Sequence, residues 1–357
     1  MSDANKNGKR LRCAAIGVGR MGRHHARVYA EDPHLELVAV VDADAERAEA
    51  IAEKHGVPAL SSVEDLLKLG VDAVSIATPT TTHESTAVPL LEAGVACLIE
   101  KPLAQTADSA RVIAEAAAKS GAVLMVGHIE RFNPAIRAMQ AATSDAGHEI
   151  VPRFIEVHRV SPMTFRSVDI GVVMDMMIHD LDVVIMLMGG TEPDEIQAAG
   201  VSVITGHEDI CNARLTWNKP DGVCVANVTA SRLALKTERV TRITGENAYI
   251  KIDYGKKTGT IIRRTANEVQ MQEVREQLRT GTDLSDLDWT ELVNFEPLVI
   301  DDAEPLKAEI NAFLTAVREG NQPPIDAAAG WVNVRTAERI VEAIELTMGD
   351  TANAGTR

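Results

Sequence analysis

Aromatic residues are scarce: Phe, Trp and Tyr make up 3% of the 357 residues. A base-stacking platform for nucleic acid needs more of them. Cations are in deficit too, with 36 Lys and Arg against 52 Asp and Glu, a net charge of −16. Both shortages argue against a nucleic-acid partner, which calls for a basic face. Long apolar runs are missing, and no stretch approaches the ~20 residues of a transmembrane helix, so no membrane partner is expected. Basic residues Lys6 to Arg12 precede the apolar Cys13–Val18 as in an export signal, but that run is too short and Arg20 and Arg23 follow at once. Cysteine is limited to Cys13, Cys97, Cys211 and Cys224, without C-x-x-C spacing. They read as buried free thiols in a reducing cytoplasm, the expected location. What is present is ordinary globular material, 45% apolar and 25% charged, enough for a sizeable core in two domains.

Residues 1–10 read as a polar tail. From 11 to 130 apolar runs alternate with amphipathic stretches. Strands are predicted at Leu11–Ile16, Glu36–Val41, Val71–Ala77, Val95–Glu100 and Ala122–Gly127, and helices at Met21–Ala30, Ala45–His55, Thr82–Glu92 and Ala107–Lys119. Strands separated by helices of this length make βαβ units and a parallel sheet. From 131 to 357 the pattern changes. A helix at Pro134–Ala142, a strand at Phe154–Val160 and one long apolar helix at Val172–Met188 precede six strands between 196 and 264. Strands without intervening helices favour an antiparallel sheet. Helices at Pro305–Arg318 and Ala327–Leu346 close the chain, and 266–300 has no assignable pattern. The fold class is α/β, with a second domain of α+β type.

The first strand runs into Gly17-Val18-Gly19-Arg20-Met21-Gly22, a G-x-G-x-x-G loop opening a helix. A second strand ends in Asp42, about 20 residues further on, as a dinucleotide fingerprint requires. Gly17 makes the turn, Gly19 admits a pyrophosphate, and Gly22 lets the helix pack on the sheet. Free N–H groups at the helix start hold the phosphates without a basic side chain. Asp42 accepts from ribose hydroxyls and repels a 2′-phosphate, which favours NAD over NADP.

Glu100-Lys101-Pro102 closes the fourth strand, at the sheet edge where ligands bind. Lys101 there either faces the nicotinamide or is a surface lysine, and the proline permits a cis bond. In the long apolar helix, Asp175, His179 and Asp182 follow at i, i+4 and i+7, one stripe on one face. Ionisable groups on such a helix are costly unless paired or facing a cavity. A histidine beside a carboxylate suits a general base held in one tautomer. A buried structural pair is the alternative. A metal site lacks evident further ligands, so none is expected. Met174, Met176, Met177, Met186 and Met188 read as core filler.

These residues, with Ala77-Thr78-Pro79-Thr80 and His83 after the third strand, resemble the glucose–fructose oxidoreductase, inositol dehydrogenase and MocA family over nearly the whole chain. The family carries a glycine two residues after the Asp, where Met177 stands here. The resemblance implies a Rossmann domain followed by an open, mostly antiparallel sheet, through which copies assemble as a homodimer or homotetramer. It implies catalytic roles for Lys101, Asp175 and His179, with Thr78, Pro79, His83, Glu100 and Lys101 at the cofactor beside Gly17, Gly19, Arg20, Met21, Gly22 and Asp42.

Two stretches, Val126–Pro134 and Val168–Asp175, are similar to a branch that oxidises the C3 hydroxyl of UDP-N-acetylglucosamine. The expected function is therefore NAD-dependent oxidation of a secondary sugar hydroxyl. Arg131 and Asn133 are candidates to line the sugar pocket, and Arg159, Arg166 and Lys236 to receive a diphosphate. Competing readings are a dehydrogenase of inositol, a free hexose or UDP-N-acetylglucosaminuronic acid, a glycosidase using NAD transiently, and a non-catalytic NAD-binding regulator.

Overall fold

A computed structural model of the protein describes residues 10–144, 150–165, 168–285 and 287–354. The chain forms two compact units, one of Met1–Phe132, Leu181–Glu192 and Ala303–Glu342, the other of Asn133–Asp180, Pro193–Asp302 and Ala343–Arg357.

The first unit is built on six parallel strands: β1 (Leu11–Ile16), β2 (Leu35–Val41), β3 (Ala59–Leu60), β4 (Ala73–Ile76), β5 (Ala96–Glu100) and β6 (Leu124–Gly127). Their order is β3-β2-β1-β4-β5-β6. Every residue of β4 and β5 is buried, which is why these strands read as continuous apolar runs rather than alternating ones. The connecting helices are α1 (Gly22–Glu31), α2 (Ala45–His55), α3 (Val63–Leu69), α4 (His83–Glu92) and α5 (Ala107–Ser120). Neither β3 nor α3 was expected. Two residues show no period, and α3 is one short amphipathic turn pair, started by Ser62 accepting from the Asp65 N–H.

The expected second domain ran unbroken from 131 to 357, whereas the contacts return Leu181–Glu192 and Ala303–Glu342 to the first unit. The reason is hydrophobic. Leu306, Ile310, Phe313 and Leu314 of α9 (Pro305–Glu319) and Val334 of α10 (Ala327–Ala354) complete the core around the parallel sheet.

The second unit carries α6 (Pro134–Thr143), α7 (Ile178–Leu187, which ends in the first unit) and eight strands. These are β7 (Pro152–Val160), β8 (Glu195–Val201), β9 (Ile210–Lys219), β10 (Gly222–Ser231), β11 (Glu238–Gly245), β12 (Ala248–Asp253), β13 (Thr258–Arg264) and β14 (Val293–Pro297). They lie in the order β14-β13-β12-β11-β7-β10-β9-β8. All neighbours are antiparallel except β7 and β10. Cys211, Ala213, Leu215 and Trp217 of β9 point inward while the residues between them face out, the period of a half-buried strand. Segment 266–300 holds α8 (Glu268–Arg279) and β14. The Asn267–Gln270 capping box starts α8, but none of its residues is buried, so no apolar stripe announced it. The four cysteines are buried free thiols, and burial pushes Cys13 up to about 12 and Cys224 to about 11.

The predicted helix Val172–Met188 is two structures. Val173–Met177 is a π turn, and α7 follows from Ile178. A π turn closes i→i+5 bonds, so it breaks the 3.6-residue period on which the Asp175–His179–Asp182 stripe rested. Among the described residues no helix is long and apolar enough to cross a membrane.

Asp209 anchors the loop after β8. Its Oδ2 accepts from the N–H groups of Val203, Ile204 and Thr205 at 2.8, 2.6 and 3.0 Å. Burial alone would raise this carboxyl, but the Ile204, Thr205 and Val203 N–H groups hold it well below the usual carboxylate range. Its stabilising effect is therefore complete above the unfolded value, ~3.9, and fades as the pH falls below that. Asp209→Asn should lower the urea midpoint most at neutral pH, and the gap to the unaltered chain should shrink on acidification. A gap that widens toward pH ~3 would contradict this assignment.

Candidate active site

In the first unit the glycine loop leaves β1 at its carboxyl end. Gly17 has φ +78°, and a Cβ there would come within 2.8 Å of the Ala77 backbone. A Cβ on Gly22 would collide with the Gly17 carbonyl oxygen. A Cβ on Gly19 meets nothing within 4 Å, so the loop is open on that side. Met21 occupies the N-cap of α1 without a side-chain bond to the helix. The loop therefore has the shape a dinucleotide needs: a forced turn, a close helix, and an uncapped helix start beside open space.

Asp42 directly follows β2 and is buried, at 7% exposure. Its Oδ2 accepts from the Val18 N–H at 2.8 Å, tying the β2 end to the glycine loop. Its Oδ1 accepts from the Asp44 N–H at 2.9 Å and from Arg47 Nη1 at 3.2 Å. Arg47 was not anticipated. It lies on the first turn of α2 and also pairs with Asp44 at 2.8 Å, in an i,i+3 spacing the sequence displays.

The loops after β4 and β5 meet at His83. Its Nε2 lies 3.1 Å from the Thr78 carbonyl and its Nδ1 3.0 Å from the Pro102 carbonyl. The ring has no exposed surface. It thus holds the two loops together. Thr78 and Lys101 are half-buried, Pro79 is exposed, and the Lys101–Pro102 bond is cis. Glu100 is buried, accepting from the Lys101 N–H at 3.3 Å. Arg20 is exposed.

Arg131, expected to line the sugar pocket, is engaged elsewhere. Its Nε and Nη2 donate to the two Asp182 oxygens at 2.8 and 2.7 Å, a bidentate pair within the first unit. Asp182 is 1% exposed, so this pair neutralises a buried charge rather than extending the His179 stripe.

In the second unit, Asp175 lies in the π turn and His179 in the first turn of α7, both half-buried. What holds the turn was missed from sequence. Glu208 Oε1 accepts from the Val173 N–H at 3.1 Å, and the Glu208 carbonyl accepts from the Val172 N–H at 3.0 Å. A side chain on Gly171 would overlap the Glu208 carboxylate. Arg232, buried, donates from Nη2 to the Ile170 carbonyl at 2.8 Å and lies 3.8 Å from Asp209. Glu208 and Asp209 lie in the loop before β9 and Arg232 directly after β10, far from Asp175 in sequence.

Arg159, expected at a diphosphate, is buried and forked onto Asp180 at 2.5 and 2.8 Å. Asn133 caps α6 by accepting from the Ala135 N–H at 3.0 Å. Lys236 is exposed between β10 and β11. Arg166 lies outside the described residues. Among those described, no three His, Cys, Asp or Glu side chains gather as metal ligands.

Two family models match the chain: "Oxidoreductase family, NAD-binding Rossmann fold" over residues 11–128 and "Oxidoreductase family, C-terminal alpha/beta domain" over 164–348. The chain is 36% identical over 336 residues to a UDP-N-acetylglucosamine 3-dehydrogenase of Acidithiobacillus ferrooxidans, covering 94% of this chain and 97% of that one. A solved structure of the Acidithiobacillus ferrooxidans enzyme superposes with TM-score 0.81 at 35% identity, over 94% of this chain and 98% of that chain. A scyllo-inositol 2-dehydrogenase (NAD(+)) of Bacillus subtilis is 31% identical over 240 residues, 62% of this chain and 67% of that one. With a glycine loop shaped for a dinucleotide and both domain models matched, the chain belongs to the glucose–fructose oxidoreductase, inositol dehydrogenase and MocA family of oxidoreductases.

Proposed function

We propose that the protein oxidises the C3 hydroxyl of UDP-N-acetylglucosamine with NAD. The observation that carries this reading is the 36% identity to a dehydrogenase of that sugar, sustained over 94% of the chain. Gly17, Gly19, Gly22 and the uncapped start of α1 would hold the cofactor phosphates, and Asp42 the adenosine ribose. When bound, NAD supplies the hydride acceptor.

The remaining chemistry belongs to side chains of this chain. His179 takes the hydroxyl proton. Asp175 orients the imidazole and stabilises the imidazolium that forms. Lys101 donates to the same oxygen and steadies the negative charge developing on it. Lys236, exposed and cationic, is the described candidate for the sugar diphosphate. The likeness to a scyllo-inositol dehydrogenase supports a second reading, a cyclitol substrate.

A substrate panel separates these. Formation of NADH should be fastest with UDP-N-acetylglucosamine, and slower with UDP-N-acetylglucosaminuronic acid, scyllo-inositol and glucose. NADH formed from scyllo-inositol alone would replace the proposal with the second reading.

His179→Ala should lower kcat by roughly 10²–10⁴-fold, the range for loss of a general base, with NAD affinity unchanged by calorimetry. Full turnover in that variant would remove His179 from the mechanism.

Asp42→Ser should relax the preference for NAD, because Arg47 is then released to meet a 2′-phosphate. Its affinity for NADP should rise roughly tenfold or more, and Arg47→Ala added to it should abolish the gain. An Asp42→Ser chain that still ignores NADP would show that Asp42 does not set the choice.

A further inference from the structure

Next to Lys101 lies a row of buried polar groups, of which only Glu100 has been given a role above. His25 of α1 is 0% exposed. Its Nε2 lies 3.0 Å from Glu100 Oε1, and its Nδ1 lies 2.9 Å from Ser75 Oγ. Ser75 Oγ in turn lies 2.5 Å from the Tyr29 hydroxyl. Ser75 is the one polar residue of β4, and Tyr29 is fully buried one turn beyond His25. Glu100 closes the row by accepting from the Lys101 N–H with its other oxygen.

With a neutral His25 ring, the direction of each bond follows. An ionised carboxylate only accepts, so His25 Nε2 must carry the proton that reaches Glu100. Nδ1 of a neutral ring is then an acceptor, and the Ser75 hydroxyl must donate to it. The Ser75 lone pair then receives the Tyr29 O–H. All four side chains are satisfied by one neutral tautomer, as buried polar groups require. Burial alone would push the Glu100 carboxyl up, but the His25 ring, by its hydrogen bond and its charge when protonated, and then the Lys101 charge hold it below its usual value. Glu309 on α9, also buried, is pushed well above the usual carboxylate range by burial and by the charges of Glu100 and Asp182, so Glu100 is the ionised member of the two.

We propose that Tyr29, Ser75 and His25 form a one-way hydrogen-bond chain that fixes the Glu100 carboxylate and, through the Lys101 N–H, sets the stance of Lys101, making His25 a positioning residue. It starts on the helix that opens at the glycine loop and ends at the strand that presents Lys101. The helix start that receives cofactor phosphates is thereby tied to the group that meets the reacting oxygen. This rests on the reading of Lys101 as a catalytic residue.

Two measurements test it. The first needs no variant: ¹⁵N spectra of the imidazole nitrogens, with His25 assigned by its loss in His25→Gln. At pH ~7 His25 should carry a proton on Nε2 and none on Nδ1. A proton on Nδ1 alone, or on both nitrogens, overturns the chain.

The second is a double-mutant cycle on turnover of UDP-N-acetylglucosamine at saturating NAD. His25→Ala should lower kcat roughly tenfold or more with the Michaelis constant for NAD held, and His25→Gln, which can still donate to Glu100, should recover much of it. If His25 acts through Lys101, the pair His25→Ala/Lys101→Ala is no slower than Lys101→Ala alone. Losses that multiply overturn the positioning role while leaving Lys101 catalytic. Wild-type turnover in Lys101→Ala itself removes the catalytic reading, and the proposal with it.

Discussion

The Gly17 carbonyl oxygen stands where a side chain on residue 22 would begin. No residue but glycine closes that distance. Because it is closed, α1 starts hard against the end of β1, with its first N–H groups beside open space. The same approach brings Gly17 onto the backbone of Ala77 and Thr78 at the end of β4. Asp42 then reaches the loop from β2 through the Val18 N–H, and His83 joins the β4 loop to the β5 loop. Four strand ends are thus locked around one turn. This is the condition for holding a dinucleotide in one pose, and the reason Lys101, at the end of β5, stands at a fixed place on the rim.

Charge is handled in the same economical way. A chain of net −16 has few cations to spare for anionic ligands. Two of its arginines are forked onto buried carboxylates: Arg131 on Asp182 and Arg159 on Asp180. Removing one partner of such a pair strands a buried charge, so these arginines are tied to the fold rather than free for a ligand. In the proposed function phosphate recognition falls instead to backbone N–H groups, which cost no net charge.

Much of this was legible in the sequence and some was not, for definite reasons. The parallel strands, the glycine loop and Asp42 were readable because each is a local pattern with a period or a spacing. The alternating strands of the second unit were readable for the same reason. The π turn at Val173–Met177 was not, since an apolar run carries no mark of a changed helical pitch. Nor were the partners that hold it, because Glu208 and Arg232 come from segments 30 to 60 residues away. The partners of Arg131 and Arg159 were hidden for a related reason. An arginine near a motif looks the same whether it faces a ligand or a buried aspartate. The return of α9 to the first core was hidden likewise, because an amphipathic stripe states that a face is buried and not against what.

The central claim is that hydride leaves C3 of a nucleotide sugar for the nicotinamide of NAD. UDP-N-acetylglucosamine deuterated at C3 tests it most directly. Direct hydride transfer yields NADH carrying the deuterium in equal amount to the 3-keto sugar formed, with turnover slowed where hydride transfer limits the rate. NADH free of deuterium, or deuterium retained on the sugar, would contradict it.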